Sequence, residues 1–139
     1  MNEDKIKEDN YVDFLLEDPD LRYYMMPDDV MHDTRLSLEA CNLYMLLYRR
    51  CQLSAYGFRK SEYKYDFEFW DNKKQTVFCI YQMDELEIRL RKKRNYISKC
   101  VKELKEYGYL EVEIDRNKSN ANKYFLLKGN KESSIDCNQ

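Results

Sequence analysis

The order of predicted elements between residues 82 and 127 constrains the fold of this chain more than any other feature of its sequence. Apolar residues at helical spacing predict a short helix over Met83–Leu90 and a second helix over Arg94–Tyr107, with a tight turn between them. Gly108 follows the second helix, where a left-handed residue commonly ends a helix. Alternating and apolar segments then predict the two strands of a hairpin, residues 110–115 and Lys123–Leu127.

A helix-turn-helix followed by a β-hairpin is the layout of a winged helix, so the sequence predicts an α+β fold of that type. The β-branched and aromatic segment Gln75–Tyr81 is expected to add a third strand to the wing sheet. A longer helix is predicted after Ser37, a good N-cap residue, and is expected to end over residues 53–57. The span Phe58–Lys74 is predicted as irregular structure, with a strand over Tyr63–Phe69 as the alternative.

One domain with two tails is the predicted organisation. Residues 1–20 are acidic, and we expect them to form an N-terminal extension with little fixed structure. Residues 21–128 are expected to form the winged-helix DNA-binding domain argued below. Residues 129–139 are expected to form a polar, frayed C-terminal tail.

Positive charge is concentrated around the second helix of the motif. The stretch from Arg89 to Tyr107 holds eight cationic and two anionic residues, a net charge of +6 in a chain whose net charge is −2. Residues 1–40 carry −8 in contrast. A local surplus of this size indicates a polyanionic partner, and duplex DNA is the partner that a winged helix suggests. The alternative is an ordinary solvated helix face.

Helical spacing separates the residues of this second helix into two faces. Ile97, Val101 and Leu104 form an apolar stripe that is expected to face the core. On the opposite face the side chains expected to read base edges are Asn95, Ser98 and Lys99, because asparagine and lysine can pair with adenine and guanine edges. Phosphate contacts are expected from Arg94, Tyr96 and Lys102, and Lys92 and Lys93 are expected to add DNA-binding cations at the turn, where a winged helix meets DNA. Packing of Tyr96 on the first helix of the motif is the alternative.

The predicted tip of the wing, residues 116–122, is rich in lysine, arginine and asparagine, a composition that suits a hairpin loop. The functional interpretation is that the wing lies along a minor groove or its phosphates. The other interpretation is an exposed hairpin tip with no ligand. The candidate wing contacts are Arg116, Lys118, Asn120 and Lys123.

Several classes of protein are excluded or disfavoured by composition. Five cysteines without a CxxC pair and a single histidine favour buried thiols in a reduced cytoplasmic protein over a disulfide framework or a zinc site. Three glycines rule out a P-loop or a dinucleotide fingerprint. The acidic pairs Asp28-Asp29 and Asp84-Glu85 lack companions at catalytic spacing. We therefore expect no enzyme activity and no cofactor, and no apolar run reaches membrane-spanning length.

Several short motifs also resemble a known family, the RepA_N replication initiators of plasmids from Gram-positive bacteria. The resemblance covers roughly residues 21–127. Its most specific block joins an aromatic-methionine motif to a leucine-rich helix start. The motifs that carry it are Tyr24-Met25-Met26-Pro27, Leu36–Tyr44 with Arg49 and Leu53-Ser54, Trp70-Asp71 with Val77-Phe78, Lys102–Leu110 and Asn122-Lys123-Tyr124.

The resemblance implies a winged-helix domain that binds repeated sites at a plasmid origin, often as a homodimer, without catalysis. It also implies a separate C-terminal domain for host replication proteins, so this chain is expected to be either an excised domain or a short relative. Two positions depart from the family pattern. Lysine or glutamine replaces the glycine of the Trp70-Asp71 stretch, and Lys93-Arg94 stands where serine or threonine usually opens the recognition helix.

Two other functions are compatible with the same sequence. A transcriptional regulator would have the same fold and would differ only in where its DNA site lies. A protein-interaction module would instead use the acidic N-terminus and the aromatic stretch Tyr63–Trp70 to bind a host replication protein, with the winged helix as a scaffold.

Overall fold

The chain folds as an α+β arrangement of helices and small antiparallel sheets, an architecture compatible with a winged helix. The computed structural model describes residues 10–14, 24–62, 67–114 and 121–129. The helices in these ranges are α1 (Asp28–Met31), α2 (Leu38–Lys60), α3 (Met83–Leu90) and α4 (Arg94–Glu106). The strands are β1 (Trp70–Asp71), β2 (Thr76–Val77), β3 (Cys79–Gln82), β4 (Leu110–Ile114) and β5 (Ala121–Leu126). No helix in these ranges is long and apolar enough to span a bilayer.

Helix α2 is the longest element and the centre of the core. It begins at Ser37, whose hydroxyl accepts a hydrogen bond of 3.2 Å from the Ala40 N–H, as the N-cap prediction requires. The predicted end at residues 53–57 is wrong, because the helix continues to Lys60. Gly57 serves close packing here, since a Cβ at this position would stand 2.8 Å from the Phe67 ring.

The wing sheet has three antiparallel strands in the order β3-β5-β4. Cys79 and Val112 both pair with Tyr124, so the central strand is held on both sides. The predicted single strand over Gln75–Tyr81 is interrupted at Phe78, whose N–H donates to the Phe69 carbonyl. Its second half joins the wing sheet.

The first half of that segment forms a separate two-stranded sheet. Strand β2 pairs with β1 through the Trp70–Val77 and Asp71–Thr76 positions. Part of the span predicted as irregular is therefore a strand. The indole of Trp70 stacks on Phe58 with ring centroids 4.2 Å apart, which explains why this hairpin folds back onto the end of α2.

Strand β5 begins earlier than predicted. Ala121 and Asn122 were expected in the wing tip, but they pair with Gln82 and Tyr81 of β3. The pairing gains two ladder positions and buries Ala121, which accounts for the longer strand. Most of the predicted tip, including Arg116, Lys118 and Asn120, lies outside the described residues.

The main core lies between the helices and one face of the wing sheet. Alternation along the strands points Tyr124 and Leu126 to the helices, and α2, α3 and α4 contribute the apolar stripes that the sequence predicts. The largest buried members include Tyr44, Leu47, Leu86, Ile97, Leu104 and Tyr124. The opposite face of the sheet carries a second cluster built on Phe78 and Phe125.

Residues 10–14 pack against the folded domain, although the sequence places them in the acidic extension. Tyr11 forms a β-bridge with Leu127, and the Val12 N–H donates to the Leu126 carbonyl. Phe14 is buried in the main core. Desolvation, followed by the hydrogen bond to Glu111, raises the pKa of the Tyr11 hydroxyl well above its usual range. Burial of the Tyr11 and Phe14 side chains thus fixes this segment on the domain, although the residues around it are acidic.

An ion pair within the α1–α2 connection is hydrogen-bonded to Tyr109, which follows α4. The Asp33 carboxylate receives hydrogen bonds from the Arg35 guanidinium, 2.6 Å from Nη2, and from the Tyr109 hydroxyl at 2.6 Å. The Arg35 hydrogen bonds hold the pKa of Asp33 at about 2, against the opposing effect of burial. Gly108, with φ of +81°, supplies the left-handed turn that delivers Tyr109 to this site, as predicted.

Candidate nucleic-acid interface

The turn between α3 and α4 presents three consecutive exposed cations, Arg91, Lys92 and Lys93. Arg91 ends α3 in the left-handed region, with φ of 57° and ψ of 41°. This conformation lets the Lys92 N–H reach the Glu87 carbonyl at 3.3 Å and turns the chain sharply into α4. A left-handed arginine has no signal in the sequence, because glycine and asparagine are the residues that favour this region.

Helix α4 divides into a buried and an exposed face. Ile97, Cys100 and Leu104 are buried, and Val101 is half-buried. The four side chains predicted on the opposite face are all exposed: Asn95, Ser98, Lys99 and Lys102. At about 100° per residue, Asn95, Lys99 and Lys102 fall within an arc of roughly 60°, so they form one stripe on the surface.

The predicted phosphate contacts around α4 have different surroundings. Arg94 is engaged with α3, since its Nη2 lies 3.0 Å from Asp84 and 4.0 Å from Glu87. In contrast, no carboxylate in the described ranges lies within ion-pair distance of Lys93, Lys99 or Lys102. The structure therefore distinguishes an arginine that joins the two helices from lysines that face solvent.

Two of the anionic residues near this surface, Glu39 and Glu103, form hydrogen bonds within the fold, whereas Glu106 is exposed on the same face of α4, one turn beyond Lys102. Glu103 accepts hydrogen bonds from the Ser37 N–H and hydroxyl at the start of α2. Glu39 accepts a hydrogen bond from Tyr96, and this bond raises the pKa of the Tyr96 hydroxyl. The pKa of Glu39 is lowered, first by its own backbone N–H and then by Tyr96. With Lys99 and Lys102 against Glu106, the exposed face of α4 keeps a net positive charge.

Tyr96 lies on the side of α4 that faces the start of α2. Its hydroxyl hydrogen-bonds to Glu39 in the first turn of α2. The Lys92 ammonium lies over the Tyr96 ring, with Nζ 4.8 Å from the ring centroid. Tyr96 is half-buried against the main core.

The structure does not bring Lys123 together with the cations of α4. Its neighbour Tyr124 points into the main core, so Lys123 points to the other face of the sheet, with Nζ 5.0 Å from the Phe78 ring. The sequence alone could have suggested this from the alternation of the strand. On the face of the sheet that Val112 and Tyr124 turn toward the helices, Ile114 at the end of β4 is 78% exposed.

Cys41, Cys51, Cys79 and Cys100 are free and buried, and burial raises the pKa of Cys100 to about 11. Its thiol is therefore protonated at neutral pH. Within the described ranges, no group of three or more histidine, cysteine or acidic residues could hold a metal ion. The aromatic residues of the 67–70 segment are packed in the fold, Phe67 against Phe58 among them.

No protein-family model matches the sequence, and no curated protein sequence matches it either. Solved structures with a similar fold include three that are associated with DNA binding or replication initiation. The structure of a Rep–DNA complex shares 21% identity over 78% of this chain and 75% of its own, with a TM-score of 0.55. The structure of an MDR initiator shares 26% identity over 83% and 87%, with a TM-score of 0.56.

The third is the N-terminal domain of a DNA-binding protein, with 21% identity over 83% of this chain and 82% of its own, and a TM-score of 0.59. This chain has the fold of these proteins. Each similarity covers at least three quarters of both chains, so it extends over most of the fold and not over a single local motif.

Proposed function

We propose that this protein is a winged-helix domain that binds duplex DNA in a sequence-specific manner, with α4 in the major groove. One observation carries the proposal. The exposed face of α4 holds Lys99 and Lys102 without carboxylate partners in the described ranges, while its opposite face is anchored by Ile97 and Leu104. A rigid helix that presents unpaired cations along one stripe is suited to a phosphate-lined groove.

Side chains on this stripe take two roles in the proposal. Asn95, Ser98 and Lys99 read base edges, because their short or flexible polar groups reach into the groove. Lys93 and Lys102 bind phosphates and set the register. The first turn of α4 adds to this, since its N-cap Lys93 offers no side-chain acceptor and the positive end of the helix dipole faces the turn.

The proposed biological role is that of a plasmid replication initiator domain that recognises repeated sites at an origin. Two of the similar structures are a Rep–DNA complex and an MDR initiator, and the motifs quoted above resemble the RepA_N initiators. In this proposal the protein acts in the cytoplasm as a homodimer, has no catalytic activity and meets host replication proteins. The wing residues Arg116, Lys118 and Asn120 contact the adjacent backbone or minor groove.

A selection experiment tests this function and identifies the DNA site at the same time. A library of random duplexes is enriched with the wild-type protein, and the affinity for the enriched duplex is measured by fluorescence anisotropy at several salt concentrations. The expected result is a defined motif, repeated if the protein binds as a dimer, and a log–log salt slope of about −0.9 per neutralised phosphate. An enriched pool without a motif, or binding that ignores salt, contradicts the proposal.

Analytical ultracentrifugation tests the homodimer separately. A sedimentation coefficient that rises with protein concentration, or on addition of a two-site duplex, is expected. A monomer at every concentration, bound singly to a two-site duplex, would remove the dimer from the proposal and leave DNA binding intact.

A further inference from the structure

One flank of α4 is tied to the first turn of α2 at two positions, Tyr96 and Glu103, which are two helical turns apart. The Glu103 carboxylate accepts from the Ser37 N–H and from its hydroxyl, 3.2 Å away. The same hydroxyl accepts from the Ala40 N–H. This is a capping box whose acidic member comes from another helix, because the N3 residue of α2 is an alanine.

At the second position, Tyr96 uses both of its polar features within the protein. Its hydroxyl hydrogen-bonds to Glu39, and one face of its ring lies under the ammonium of Lys92, 4.8 Å away. A tyrosine whose hydroxyl and ring face are both occupied has little left to offer a phosphate. Lys92, in contrast, is exposed to solvent and can reach an anionic partner.

We propose that Tyr96 is a positioning residue, which holds Lys92 in place as a phosphate-binding cation and does not itself contact DNA. This inference rests on the proposed DNA-binding function. A free lysine loses rotamer freedom when it binds a phosphate, and this loss weakens the contact. The Tyr96 ring removes part of that loss in advance, because Lys92 is ordered before DNA arrives.

The inference predicts that Tyr96 acts on DNA only through Lys92. We expect Tyr96→Leu to weaken binding to the library-enriched duplex by about two- to fivefold, the range of an exposed cation–π contact. In a Lys92→Gln background the same Tyr96→Leu change is expected to have no further effect. If it weakens binding equally in both backgrounds, Tyr96 touches DNA directly and the inference is wrong.

The chain offers a matched control in Tyr56 and Lys60 near the end of α2. Lys60 Nζ lies 5.3 Å from the Tyr56 ring, so the pair has the same chemistry on an exposed part of the helix. Tyr56→Leu and Lys60→Gln are expected to leave the affinity within about twofold of wild type. A loss as large as that of the Tyr96 variant would show that the effect is not specific to the interface.

A measurement on the free protein separates this inference from the proposed function. The ring current of Tyr96 should move the NMR signals of the Lys92 ε-methylene protons upfield, and Tyr96→Leu should abolish that shift. Tyr96→Phe keeps the ring and should retain it, and this variant serves if the leucine variant does not fold. An absent shift in wild type overturns the inference at its structural step. A present shift with no DNA binding overturns the proposed function and the phosphate-binding role of Lys92, and leaves the contact between Tyr96 and Lys92 standing.

Discussion

Two groups of cations among the described residues differ in their partners. Arg35, Arg50 and Lys74 each form an ion pair with a carboxylate. Lys93, Lys99 and Lys102 meet none in the described ranges, although they lie on a folded helix or at its start. The comparison indicates that some cations stabilise the fold through ion pairs, whereas others remain free to bind an anionic partner.

Arg50 is the cation of the first group with the most contacts described for its guanidinium. Its guanidinium binds Glu85 at 2.6 Å and the Ile80 carbonyl at 3.1 Å, and it stacks 3.7 Å from the Tyr81 ring centroid. One residue of α2 thereby joins the start of α3 to β3. Hydrogen bonding to Arg50 is the main reason that the pKa of Glu85 is lowered.

The largest expected effect is on DNA affinity when the unpaired lysines are removed. Lys99→Gln with Lys102→Gln removes one base contact, worth about 1–3 kcal/mol, and one phosphate contact. The salt slope should fall by about 0.9, and affinity by at least about 40-fold at 0.1 M salt. Stability should change by less than about 0.5 kcal/mol, because both side chains are exposed. Anisotropy and urea unfolding measure the two quantities.

The control for that variant is Lys60→Gln with Lys73→Gln, which removes the same charge from exposed positions elsewhere on the surface. Equal losses of affinity in the two double variants would mean that only net charge matters, and the contrast between the two groups of cations would disappear.

The next largest effect is expected on the free energy of unfolding, when the ion pair of Arg35 is broken. Replacing Asp33 by asparagine leaves Arg35 without its charged partner, and we expect a loss of about 2 kcal/mol at pH 7. Because the folded-state pKa of Asp33 is lowered to about 2, its contribution is present above about pH 4 and is lost as pH falls toward 2. Urea unfolding between pH 2 and pH 7 should show a flatter profile for the variant.

Asp28→Asn, an exposed change in the first turn of α1, is the comparison for Asp33. It should cost less than about 0.5 kcal/mol. If the Asp33 variant loses DNA affinity at pH 7 while it remains folded, the separation between structural and available charges fails at that position.

At the turn between α3 and α4, a smaller effect is expected, in which stability rises and DNA affinity falls. Arg91→Gly should raise stability by about 1 kcal/mol, because glycine adopts the left-handed conformation without strain. It should also weaken DNA binding by about eightfold at 0.1 M salt if Arg91 neutralises one phosphate. Gln75→Gly, at the other left-handed non-glycine residue, tests the backbone effect alone and should leave DNA affinity unchanged.

The smallest effect is expected for the exposed pair between α3 and α4. Asp84→Asn should change stability by no more than about 0.5 kcal/mol, since surface ion pairs contribute little. It should strengthen DNA binding by about threefold, because it releases Arg94 and removes a negative charge beside the phosphates. Weaker binding after this change would show that the pair orients Arg94 for DNA.

Several elements could be predicted because strong local patterns define them. Helix α3 has the predicted bounds, α4 begins at the predicted residue, and Gly108 ends it in the left-handed region. Each depends on periodicity or on a single turn residue, which act over a few positions. The break at Phe78 could not be predicted, because it depends on a hydrogen bond to Phe69 and on aromatic packing across the sheet.

The candidate interface divides in the same way. The sequence by itself determined which side chains of α4 are exposed, since helical geometry separates Asn95 and Lys99 from Ile97. Only the tertiary structure decided which charges are available, because Arg94 meets Asp84, and Tyr96 meets Glu39 from 57 positions earlier in the chain. Exposure follows from the local repeat of one helix, whereas charge pairing depends on which distant segments the fold brings together.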